Sequence, residues 1–100
     1  GLNNKSVFRQ AMHLAGRVVK EAGNEPPAQV DRAWRITLGR PPTAEEAASA
    51  IKLLDALRPD KAEPLADAPP ALAKLPPAMA HALSKFCLAL FNLSEFAFVD

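Results

Sequence analysis

Four stretches of the chain carry apolar residues every three to four positions, the spacing that places them on one face of an α-helix. The clearest pattern runs from about Lys5 to Ala22, with Asn3 or Asn4 as the N-cap and Gly23 as the stop. Its apolar face comprises Val7, Phe8, Ala11, Met12, Leu14, Ala15, Val18, Val19 and Ala22. An arc of about 120° on the other side carries the basic face, which comprises Lys5, Arg9, His13, Arg17 and Lys20. A solvated face is the commoner meaning of such a pattern, and an interaction surface for an acidic domain or a polyanion is the alternative.

Two shorter helices follow. The second is predicted from Pro27 to Leu38, closed by Gly39, with an apolar stripe of Val30, Ala33, Trp34, Thr37 and Leu38. We expect Trp34 in the core. The third opens with a capping box, in which the side chains of Thr43 and Glu46 each accept a hydrogen bond from the other residue's backbone amide. Its buried stripe comprises Ala47, Ala50, Ile51, Leu54 and Leu57, and Pro59 enforces its end.

The fourth helix is predicted from Pro77 to Phe91. Its expected buried side chains are Met79, Leu83, Phe86, Cys87, Leu90 and Phe91, and its expected exposed ones are His81, Ser84, Lys85 and Asn92. Asn92 is expected to terminate the helix. The apolar tail from Leu93 to Val99 is then expected to pack back on the bundle, with Ser94 capping a final short turn.

The ten prolines separate these helices. Eight of them form adjacent pairs, at 26–27, 41–42, 69–70 and 76–77, and each pair disfavours helix in the residue before it. Residues 58–77 hold six of the ten and read as a surface connection with one short turn around 71–75. The sequence therefore predicts a single all-α domain over 1–100, a compact antiparallel bundle of about four helices with a proline-rich crossing loop and an apolar C-terminal tail.

Composition and charge narrow the function classes. Ala and Leu dominate the apolar residues, which favours helix over sheet. The net charge of +1 is too balanced to indicate nucleic acid or an anionic membrane as the main partner. The longest apolar runs are only a few residues, so no membrane span is predicted, and the first residues lack the apolar core of a signal peptide.

No pattern in the chain indicates catalytic, cofactor-binding or metal-binding residues. His13 and His81 lie far apart on predicted charged faces, and the single Cys87 lies on an apolar face, where a thiol is usually inert. Glu45 and Glu46 occupy the first turn of a helix, where capping and the helix dipole explain carboxylates. The haem-attachment pattern C-x-x-C-H is absent, so we expect no haem and no metal in this segment.

Three motifs in order resemble a known family. They are LNN at 2–4, VDRAWRITLGRPPTAEE at 30–46 and FCLALFNLSEFAFVD at 86–100. Together they resemble the C-terminal part of the planctomycete cytochrome c-associated domain of unknown function (the PSD family). The chain departs from that pattern at Trp34, where Tyr is usual, at 5–6, where Pro-Phe is common, and at 93–94, where Ser-Asn is common.

The resemblance implies that the chain is the C-terminal module of a longer, exported or periplasmic and cell-surface protein, with haem possible in an upstream domain. The family's activity is not established, so no catalytic residue carries over. The family-signature positions are Gly39, Arg40, Pro41, Pro42, Asn92, Glu95 and Phe96. From the residues alone we expect these positions to be structural, with ligand binding as the less common alternative. Arg40 is expected to reach the last carbonyls of the second helix or to pair with Glu95.

The leading prediction is a non-enzymatic helical module that packs against upstream domains of its parent or docks another protein. The alternative is a fragment of a redox- or carbohydrate-related enzyme whose active site lies mostly outside these residues. A weaker third is polyanion binding through Lys5, Arg9, Arg17 and Lys20, which predicts affinity that falls steeply with salt.

Overall fold

The structure, a computed structural model, describes residues 4–97, with side chains up to residue 95. Its elements in chain order are the helices α1 (Asn4–Ala22), α2 (Pro26–Leu38), α3 (Ala44–Ala56), α4 (Pro70–Ala73) and α5 (Pro77–Ala97). No strand occurs between residues 4 and 97. The predicted all-α class is confirmed, and so are the bounds of the first two helices, to within a residue, and the start of the third directly after Thr43. The radius of gyration, 12.8 Å, is close to the ~13 Å of a folded 100-residue domain.

The longest helix, α5, is central, because it contacts each of the other four. Leu83, Phe86 and Cys87 project from it into the core and are almost fully buried. The predicted apolar face of α1 packs there through side chains such as Ala11 and Val18, and every helix contributes residues to the same core cluster. The predicted core position of Trp34 is confirmed, since only 7% of that residue is exposed.

The prediction for the C-terminal region was wrong. The last helix does not stop at Phe91, and Asn92 does not terminate it, because α5 runs without a break to Ala97. The Ser94 hydroxyl donates to the Phe91 carbonyl at 3.1 Å, a bond within the helix and not a cap on a new turn. No proline or glycine interrupts the chain between 78 and 97, and a lone Asn is a weak stop in such a sequence. Residues 98–100 lie outside the described part.

Ser84 was predicted on the exposed face of α5, and this was also wrong, because the residue is fully buried. The one-stripe pattern underestimates burial on a helix that is surrounded by four others. The Ser84 hydroxyl has no hydrogen-bond partner among the described residues.

The proline-rich connection packs more deeply than a surface loop. Its short turn is α4, and Leu72 within it is fully buried, as Leu75 is almost. The segment lies against α1, where a Cβ added to Gly16 would come within 2.9 Å of the Pro69 Cβ. The contact therefore depends on glycine at position 16, which the helical pattern alone does not indicate.

Candidate functional site

The corner between α2 and α3 holds four of the seven family-signature positions. Gly39 ends α2 in the left-handed region, at φ 72°, and its amide donates to the Arg35 carbonyl. A residue with a Cβ is strained there, which explains glycine. The predicted capping box is confirmed: the Glu46 amide donates to the Thr43 hydroxyl at 3.1 Å, and the Thr43 amide donates to a Glu46 carboxylate oxygen at 2.9 Å.

Arg40 closes this corner through Glu46. Its two terminal nitrogens donate to the two Glu46 oxygens at 2.8 and 3.0 Å, a bidentate pair. Those hydrogen bonds, followed by the one from Thr43, hold the pKa of Glu46 at about 2, against an ordinary 4.5, and the same pair raises the pKa of Arg40. The guanidinium also lies over the Trp34 ring, 5.9 Å from its centroid. The predicted partners of Arg40, the last carbonyls of α2 and Glu95, were therefore wrong.

The remaining signature positions lie on the last turns of α5. Asn92 and Glu95 are exposed and border a shallow depression with Asn4 and Val7 of the first turns of α1. The side chain of Phe96 lies outside the described part. The structure thus brings Asn4, the described residue of the first motif, next to Asn92 and Glu95 of the last one.

An apolar groove joins the corner to the closing motif. The residues on its α5 side are Phe86, Ala89, Leu90 and Leu93, and those on its α3 side include Ser49, Ala50 and Leu53. Trp34 and Glu46 of the corner also line it, and its volume is about 380 Å³. We call it the α3/α5 groove. It lies between two neighbouring helices, which is the shape that receives a third helix.

Two leucines make this groove unusual. Leu53 is 43% exposed and Leu93 is 46% exposed, although both are large aliphatic residues, and they line the same groove. Single exposed apolar residues need no explanation, whereas two in one groove make that groove a candidate interaction surface. Sequence reasoning missed Leu53 as a functional residue. The available signal was that Leu53 is apolar and yet falls off the buried stripe of α3.

One end of the α3/α5 groove carries acidic side chains. Glu45 and Glu46 both line it, near the start of α3. Glu46 is neutralised by Arg40, whereas Glu45 has no ion-pair partner among the described residues. The indole N–H of Trp34 is buried without a hydrogen-bond acceptor in that part of the chain. The groove is therefore an apolar surface with one free carboxylate at its margin.

The basic face of α1 is placed as predicted, since Lys5, Arg9, His13, Arg17 and Lys20 are all exposed. Arg17 is partly neutralised, because its Nε donates to Glu21 at 2.6 Å. Arg32 of α2 donates to the other oxygen of the same carboxylate at 2.7 Å. Glu21 therefore bridges α1 and α2.

Cys87 and His81 are the thiol and the imidazole of α5. Burial raises the pKa of the Cys87 thiol to about 12, so at neutral pH it is protonated and unreactive. His81 donates through Nε2 to the Glu63 carbonyl at 2.8 Å, which ties the proline-rich connection to α5. Across residues 4–97 no group of three or more His, Cys, Asp and Glu is arranged to hold a metal ion.

Comparison with protein-family models, with curated proteins and with solved structures found no significant match to the chain. The resemblance carried by the three motifs therefore stays a prediction. In the described part of the chain, none of the helices has the length and apolar character needed to cross a membrane.

Proposed function

We propose that the chain is a non-catalytic interaction module that receives an apolar helix of another protein domain in the α3/α5 groove. The observation that carries the proposal is the pair of half-exposed leucines, Leu53 and Leu93, in one apolar groove. When a partner covers both leucines, apolar surface is removed from water, and each Å² removed stabilises the complex by roughly 25 cal/mol.

The groove suits a helix because small residues lie between the two leucines. Ser49, Ala50 and Ala89 leave room for a partner backbone to come close, while the leucines interdigitate with its side chains. The free carboxylate of Glu45 favours a partner with a basic residue at that end. These features support a helix-in-groove mode, in which positions i, i+3, i+4 and i+7 of the partner supply the apolar contacts.

The scaffold that we propose for this groove is an antiparallel bundle of the four longer helices, with α4 packed against α1. Contacts between α1 and α2, α2 and α3, α3 and α5, and α5 and α1 support it, because they join these helices in a closed ring. In the setting that the family resemblance implies, the incoming helix belongs to another domain of the same long, exported, cytochrome-associated polypeptide.

Trp34 provides the assay, since it is the only tryptophan and it lines the groove. The probe is an amphipathic leucine–lysine peptide of about 14 residues, which makes about four helical turns. We expect it to shift Trp34 emission saturably. The double variant Leu53→Gln and Leu93→Gln should weaken binding by about tenfold or more, because each lost leucine contact contributes about 1 kcal/mol.

A matched control is Ala28→Gln with Ala66→Gln, two exposed residues outside the groove. Circular dichroism checks that both double variants keep their helices. Equal binding by the two double variants would contradict the proposal. So would a doubling of the solution mass that Leu53→Gln and Leu93→Gln abolish, because the groove would then serve a second copy of this chain.

A further inference from the structure

A second surface differs from the α3/α5 groove in charge and position. The helix α1 carries four Lys and Arg side chains and a single acidic residue, Glu21. That carboxylate is already bound by Arg17 and Arg32, and these hydrogen bonds lower its pKa, so it stays ionised and committed to them. The other cations on this side of the helix are left without an internal counter-charge in the described part of the chain.

The structure adds a cleft to this face that the sequence pattern does not contain. Because Gly16 lets Pro69 approach α1 closely, the segment that carries α4 lies beside the basic face. Between them runs a cleft of about 800 Å³, whose apolar floor is formed by Pro69, Pro70 and Ala71. We call it the α1/α4 cleft.

Two lysines from different helical segments line the α1/α4 cleft. Lys20 comes from the last turn of α1, and Lys74 follows the end of α4. Neither makes an ion pair with any residue in 4–97. Arg17 and Glu21 complete the polar rim, where the single Glu21 carboxylate is shared between Arg17 and Arg32. The cleft therefore combines a proline and alanine floor with two unpaired positive charges.

We propose that the α1/α4 cleft binds an acidic peptide segment of a partner protein, with aliphatic side chains on the proline floor and carboxylates on Lys20 and Lys74. Charge complementarity identifies the occupant as anionic, and the apolar floor calls for aliphatic side chains as well. A nucleic acid fits less well, because none of the described side chains that line the cleft is aromatic and available for base stacking, and the net charge is only +1.

The test uses a fluorescein-labelled amphipathic peptide of glutamate and leucine, about 14 residues long, and measures its fluorescence anisotropy. We expect saturable binding at low ionic strength that weakens at about 0.15 M salt, where charges beyond about 8 Å are screened. The double variant Lys20→Gln and Lys74→Gln should bind about tenfold more weakly, a loss of about 1.4 kcal/mol that two exposed ion pairs together can supply.

The matched control is Lys52→Gln with Lys85→Gln, which removes the same charge from two exposed lysines outside the cleft. Equal weakening by both double variants would reduce the effect to net charge and overturn the proposal. Equal binding of a peptide with Gln in place of Glu would also overturn it. So would tighter, Lys74-dependent binding of an oligothymidine, which would make the cleft a polyanion site.

The experiments distinguish a failure of the proposal for the α1/α4 cleft from a failure of the proposal for the α3/α5 groove. In the variant Leu53→Gln and Leu93→Gln, the added changes Lys20→Gln and Lys74→Gln should weaken binding of the glutamate peptide by the same factor as in the wild type, because those leucines do not line the α1/α4 cleft. Conversely, Lys20→Gln and Lys74→Gln should leave the Trp34 response to the leucine–lysine peptide unchanged.

Discussion

The corner between α2 and α3 (residues 39–46) and the connection from 58 to 76 are both rich in proline, yet different kinds of contact hold them. The corner is held by residues within seven positions of one another. Thr43 and Glu46 cap α3, and Arg40 pairs with Glu46 across six positions. Apart from the ring of Trp34 under Arg40, each of these contacts joins residues of one short string of sequence, although only the capping box was predicted from it.

The connection is held instead by residues far away in the chain. Pro69 meets Gly16, the Glu63 carbonyl accepts from His81, and Leu72 is fully buried in the common core. Asp67 adopts a left-handed backbone, φ 61°, which is uncommon outside glycine and is tolerated best by Asn and Asp. Proline thus marks where helices stop in both regions, but only tertiary contacts decide whether the residues between become loop or core.

Leu72→Ala tests the long-range side of this comparison and has the largest expected effect. Removing a fully buried leucine should lower the free energy of unfolding by about 3 kcal/mol, because it leaves a cavity against α1 and the core. Urea denaturation measures it. The matched control is Leu65→Ala in the same connection, where the half-buried side chain should cost about 1 kcal/mol. Equal losses would mean that α4 is no more part of the core than the loop before it.

Gly16→Ala should have a smaller effect, and its sign is informative. At a solvent-exposed position within a helix, a Gly→Ala change stabilises the folded state by about 1 kcal/mol, because glycine is a poor helix former. Here the new methyl group would meet Pro69 at 2.9 Å, and overpacking costs about 1–3 kcal/mol. We expect a net loss of about 1 kcal/mol in thermal or urea unfolding. A gain in stability would show that the connection does not press on α1.

Glu46→Gln tests the local side and has the smallest expected effect at neutral pH. Since the pKa of Glu46 is about 2 in the folded chain and about 4.5 in the unfolded one, its stabilisation is fully present above pH 4.5. It is lost as the pH falls through about 2. The unfolding free energy of the wild type should therefore drop more between pH 5 and pH 2 than that of Glu46→Gln, whose amide still caps α3. If the unfolding free energies of the two proteins fell in parallel with pH, the Arg40–Glu46 pair would not stabilise the fold.

The difference between the two regions also explains which predictions succeeded. The capping box, the Gly39 stop and the burial of Trp34 follow from local rules, and the structure confirms them. The burial of Ser84 depends on how many neighbours a helix has, and helical periodicity carries no information about that number. The uninterrupted end of α5 reflects the weakness of a lone Asn as a stop signal.

The α1/α4 cleft and the α3/α5 groove were likewise predictable only in part from the sequence. The basic face of α1 is readable from spacing, but Lys74 joins it only because α4 packs against α1. Leu53 and Leu93 become a pair only when α3 meets α5. A candidate site assembled from several helices is therefore predictable in its parts and not in its arrangement.

The central claim is that the α3/α5 groove is the docking surface, and amide chemical shifts of the ¹⁵N-labelled protein test it most directly. On addition of the leucine–lysine peptide, we predict saturable shifts confined to the amides of 49–53 and 89–93 and to the indole N–H of Trp34. The amides of α4 should not move. Shifts centred on α1 and α4, with the groove unperturbed, would contradict the account.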